Sequence, residues 1–100
     1  MMLVNGNGVI YDPKRSGETQ MGLAATEEEL RDRTARFVKA ELKRANVTYG
    51  ELAERLEQHG IFGETENSIK AKLKRGTFPA TFLFATLAAI KRDTVSLSEL

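Results

Sequence analysis

The stretch ENSIKAKLKRG at residues 66–76 sets one carboxamide, one hydroxyl and four cations on a short segment with helical spacing. These groups recognise partners rather than react with them. A carboxamide pairs bidentately with adenine, an ammonium reaches guanine or a phosphate, and a hydroxyl near a helix start binds phosphate. With Ile69 and Leu73 inward at i, i+4, the outward positions are Glu66, Asn67, Lys70, Ala71 and Lys74, with Ser68, Lys72 and Arg75 at the flanks. On a duplex, Asn67 is the base reader, Lys70 and Lys74 meet guanine or phosphates, and Thr65 or Ser68 binds phosphate at the helix start. Lys72 and Arg75 are assigned to phosphates. Glu64 and Glu66 count against this, since they repel a duplex unless Glu66 accepts from a cytosine amine. The plainer alternative is that the cations of 70–75 complement the negative end of a helix dipole, worth about 0.3–1 kcal/mol each.

Other chemistries have few residues to draw on. There is no Cys, and the one His, His59, has no Ser, Cys or carboxylate partner at a recognisable spacing, so it reads as a helix-end residue. Neither catalysis, a metal nor a cofactor is expected. Glu51, Glu54 and Glu57 are ordinary surface acids of one helix. No basic leader precedes an apolar stretch at the N-terminus and no run approaches a membrane span, which points to a cytoplasmic protein without membrane contact. The formal net charge is only +1, but it is unevenly spread, with Glu27–Glu29 at one place and the cations of 70–75 at another.

The elements that must position these groups are helical. Leu, Ala, Glu, Lys and Arg dominate from Thr26 onward, so the expected fold is all-α. Residues 1–24, with Gly6, Gly8, Gly17 and Gly22 and no helical period, read as a flexible N-terminal arm. Within it LVNGNGVIY carries a hairpin signal, though an isolated two-stranded hairpin is marginal in water. Met21 is a second candidate translational start.

Residues 25–100 form the expected domain. Thr26 with Glu29 opens the first helix, which runs to about Ala45 and buries Leu30, Thr34, Phe37, Val38, Glu41 or Leu42, and Ala45. Arg36, Lys39 and Lys43 share another face, more simply a solvated face than a phosphate track. Thr48 with Glu51 opens the second helix, which buries Leu52, Ala53 and Leu56 and closes at His59-Gly60. Tyr49, at its start, is either a phosphate contact or a half-buried ring closing the corner. Thr65 caps the third helix and Gly76 stops it; a fourth spans about Pro79 to Lys91, and the tail forms a short strand or a last helical turn.

The cap, Leu52-Ala53, the glycine turn and the Ile69, Leu73, Gly76, Pro79 ending resemble the helix-turn-helix of phage-repressor (Cro and CI type) DNA-binding domains over about residues 30–92. The runs VKAELKRANVTYGELAERL, ETENSIKAKLKRGTF and PATFLFATLAAI are similar to a family of small bacterial proteins catalogued as a domain of unknown function and thought to be repressor-like. The resemblance implies a four- to five-helix repressor-like helix-turn-helix domain, double-stranded DNA as partner and a role in transcription regulation. In the repressor pattern the turn glycine comes sooner after the buried alanine, whereas here Ala53 is followed only by Gly60, so the second helix and the linker are both longer.

FLFATLAAI, residues 82–90, is apolar almost all round. Leu83, Leu87 and Ile90 make one stripe, expected in the core; Phe82 or Phe84 with Ala85, Ala88 and Ala89 makes another, expected at a homodimer interface or, more plainly, under the C-terminal segment or the N-terminal arm. The alternative function is a protein-interaction module, antitoxin-like or adaptor, that uses the N-terminal arm and this helix.

Overall fold

The structure is a computed structural model that describes residues 22–100 and, ahead of them, residues 3–4, 6 and 10–11. Four helices follow in order: α1, Glu27–Arg44; α2, Tyr49–Glu57; α3, Glu66–Arg75; and α4, Ala80–Ala89, with a final 3-10 turn at Leu97–Glu99. The domain is all-α. Ahead of it β1, Leu3–Val4, pairs antiparallel with β2, Ile10–Tyr11, in the register Leu3 to Tyr11 and Val4 to Ile10. The hairpin signal therefore corresponds to a two-residue ladder, and apart from residues 6 and 22–24 the rest of the expected flexible arm lies outside the described residues.

The helix ends follow from local hydrogen bonding. The Thr26, Thr48 and Thr65 hydroxyls accept from the backbone N–H of Glu29, Glu51 and Ser68, each at 3.1 Å. Glu29 reaches back to the Ala25 N–H at 3.3 Å, while the Glu51 carboxylate takes the Thr48 hydroxyl proton instead. At α3 the capping box closes through Ser68, whose Oγ accepts from the Thr65 N–H at 2.8 Å. Gly76 ends α3 in the left-handed region, φ 71°, and Pro79 stands just outside α4 as its N-cap.

The core lies where the four helices converge, and α3 packs on both α1 and α2. Val38 and Leu42 from α1, Leu52 and Leu56 from α2, and Ile69 and Leu73 from α3 meet Phe82, Ala85 and Ala89 from α4. Each fully buried Leu or Ile here contributes about 1.5–3 kcal/mol by leaving water. On α1 both Glu41 and Leu42 are buried, Ala35 joins them, and Ala45 is exposed as the C-cap. Glu41 tolerates burial because two guanidinium groups share it, Arg44 at 2.8 Å and Arg92 at 2.5 Å. Arg92 also pairs with Glu99 and lies over the Phe37 ring, 5.5 Å from its centroid. The 93–100 strap is thereby tied back across the end of α1.

The α4 stripes differ in part from those expected: Phe84 and Ala88 are exposed and Leu83 and Ile90 pack against the core as expected, but Phe82, Ala85 and Ala89 are buried. Phe82 and Ala85 are core residues, 2 % and 7 % exposed, and Ala89 lies with them, so Phe82 and Ala85 are withdrawn from any dimer surface. Leu83 and Leu87 are only half-buried; Phe84 and Ala88 face solvent. The reason is that α2 packs on α4 from the side that carries Phe82, whose ring also packs on Phe78 at 5.1 Å and lies under the Lys72 ammonium of α3.

Candidate nucleic-acid interface

The 66–75 helix is held from both flanks. Ile69 and Leu73 are its anchors in the core. At its C-terminal end the close approach of Gly76 to the Arg31 carbonyl seats it on α1, because a Cβ there would stand 2.7 Å from that oxygen. The exposed side then carries Glu66, Asn67, Lys70, Ala71, Lys74 and Arg75. Among the described residues none of Lys70, Lys74 and Arg75 has an ion-pair partner, and Asn67 makes no side-chain hydrogen bond.

Lys72 and Ser68 differ from the expectation. The Lys72 ammonium lies 2.9 Å from Glu64 Oε2 and 3.0 Å from Oε1, and 5.7 Å from the Phe82 ring centroid. It is folded against its own protein, so its assignment to a phosphate is corrected: it neutralises Glu64. The Ser68 hydroxyl donates to Glu64 Oε1 at 2.5 Å while accepting from the Thr65 N–H, which occupies it fully in the helix cap. Thr65 remains exposed at the helix start, with its oxygen accepting from Ser68.

Glu64 is thereby removed as an obstacle. Burial alone would raise its pKa, but the Ser68 hydroxyl and the Lys72 ammonium together outweigh burial and hold the carboxyl below the usual glutamate range. Because the folded value is depressed, this pairing stabilises the fold fully above the ordinary glutamate pKa, about 4.3, and is lost as pH falls through the folded value. Urea midpoints between pH 5 and 2 are expected to fall less steeply for Glu64→Gln than for the unaltered chain; equal slopes would show that Glu64 adds no acid sensitivity.

Tyr49 is half-buried and packs on the core, the corner-closing alternative rather than a fully exposed contact. Two features were missed at the level of sequence. Lys39 on α1 lines one cleft of about 500 Å³ with Lys74, Arg75 and Arg36, although Glu28, Glu29 and Asp32 line it too, and Arg36 is paired with Asp32. The helical spacing of Lys39 was visible, but the crossing of α1 with α3 was not. Phe62, 73 % exposed, projects from the 58–65 linker between Gly60 and Gly63, both at positive φ. The side chain of the preceding residue, Ile61, turns inward onto the core.

Residues 30–95 match the family described as Domain of unknown function (DUF6471). The chain belongs to this family. No curated protein and no solved structure matches it. The DUF6471 match starts within α1, covers α2, α3 and α4, and ends in the strap, so every residue of the α3 face lies inside it. Among the described residues of this DUF6471 chain no group of His, Cys, Asp and Glu could hold a metal ion, and no helix is long and apolar enough to cross a membrane.

Proposed function

We propose that this chain is a small DNA-binding protein, a transcriptional regulator of repressor-like helix-turn-helix type, that reads the major groove of double-stranded DNA with α3. The observation that carries the reading is the exposed α3 face itself, where a carboxamide and three cations stand without partners among the described residues while Glu64 is turned aside and neutralised. Asn67 pairs with adenine, Lys70 and Lys74 take guanine edges or phosphates, Ala71 permits close approach to a thymine methyl, and Arg75 and Thr65 hold phosphates. Glu66, the one acid left on the face, favours a cytosine amine at its position.

The test is duplex binding across a salt series, for the unaltered chain and for Lys70→Ala/Lys74→Ala. Each lost phosphate contact lowers the slope of log affinity against log salt by about 0.9, so the double variant loses up to about 1.8 together with most of its affinity. Lys72→Met/Glu64→Gln, which removes a cation together with the carboxylate it neutralises, leaves the slope unchanged. Absence of duplex binding at low salt by the unaltered chain sinks the proposal.

A second reading, the antitoxin-like or adaptor module, has one observation in its favour. An apolar groove runs beside α4, where Phe84 is exposed. Under that reading Lys70→Ala/Lys74→Ala leaves the principal partner bound.

A further inference from the structure

The groove beside α4 is an unfilled, mostly apolar hollow of about 710 Å³. Phe37 of α1 forms one wall, Leu83 and Leu87 of α4 form the floor, and Val95 and Leu97 of the strap close the far side. Its far wall is fixed in place by the charge network in which Arg92 joins Glu41 to Glu99. Burial of α4 on its Phe82 side does nothing for this opposite side.

Three observations select the occupant. The first is that Phe84 and Leu97, which line the hollow at its lip, are 68 % and 63 % exposed, so much of each side chain stands in water beyond the hollow itself. A macromolecular surface covers hollow and projections together. The second is that one patch carries both the hollow and the projections that would fill a hollow. The third is that, beside Arg92, which Glu41 and Glu99 hold, the rim bears a cation and an anion, Lys91 and Asp93, neither ion-paired among the described residues. A patch that offers knob and hole, plus and minus, is complementary to itself under a two-fold rotation, as an isologous interface requires.

We infer that the groove is covered by a second copy of this chain, with Phe84 of each copy entering the groove of the other and Lys91 of each facing Asp93 of the other. This goes beyond the DNA reading and does not depend on it. Of the contacts expected from sequence the pairing keeps Phe84, drops Phe82 and Ala85, and adds Leu97 and the strap.

Sedimentation or light scattering over a concentration series tests it, with circular dichroism confirming that each variant is folded. The unaltered chain is expected to be a dimer at high micromolar concentration. Phe84→Asp, an exposed position whose loss leaves the core intact, raises the dissociation constant by about 30-fold or more. Lys91→Glu and Asp93→Lys each weaken the dimer by about tenfold, and the double reversal restores it, because two opposite pairs are rebuilt across the axis. A chain that stays monomeric throughout, a dimer indifferent to Phe84→Asp, or a double reversal no better than the single ones overturns the proposal.

Discussion

Gly76→Ala is expected to destabilise the domain by roughly 2–4 kcal/mol, from the left-handed backbone forced on an L side chain and from overpacking against α1. At φ 71° the methyl group would stand 2.7 Å from the Arg31 carbonyl oxygen and 3.0 Å from its carbon. Both are backbone atoms in mid-helix, so relief requires α3 to lift off α1. Gly60 and Gly63 make the internal comparison: they too have positive φ, 89° and 83°, but a Cβ at either meets nothing within 4 Å. Their alanine variants carry only the backbone strain, about 1–2 kcal/mol. Gly50, inside α2 with ordinary φ, reverses the sign, and Gly50→Ala stabilises by up to about 1 kcal/mol through helix propensity. Urea denaturation of the four variants gives the ranking. If Gly76→Ala falls no lower than Gly60→Ala, the close seating of α3 on α1 is wrong, and with it the orientation of the Asn67 and Lys70 face.

What could be read before any coordinates was set by local chemistry. Thr26, Thr48 and Thr65 each sit where a hydroxyl can reach a backbone N–H three residues on, and Gly60 and Gly76 each sit where a chain must leave a helix left-handed. Such signals need only their own neighbours, so the helix limits agreed closely. The α3 face was legible for the same reason, since Ile69 and Leu73 fix its phase. What failed depends on distant partners. Lys72 looks like any other cation of 70–75 until Glu64 and Phe82 are placed beside it, and Arg92 looks like a surface charge until Glu41 is found buried. Residues 82–90 have almost no period, so nothing in them states which side α2 will cover.

That last ambiguity sets up the sharpest contrast between two residues of one type. Phe82→Ala is expected to cost about 3–5 kcal/mol, because a fully buried ring leaves a cavity that the surrounding helices fill only in part. The ring is 2 % exposed, tilted against Phe78 and placed under the Lys72 ammonium, so its removal also takes the aromatic floor from beneath the Lys72–Glu64 pair. Phe84→Ala, two residues on and 68 % exposed, changes the stability of the single chain by no more than about 0.5 kcal/mol. The measurement belongs at low protein concentration, where association adds nothing to the folded state. There the two rings separate their roles: one holds α3 in place from behind, and the other is free to meet a partner. Were the order inverted, with Phe84→Ala the damaging change, α4 would be rotated about its own axis. Its Leu83 and Leu87 side would then face the core, and the groove would vanish with it.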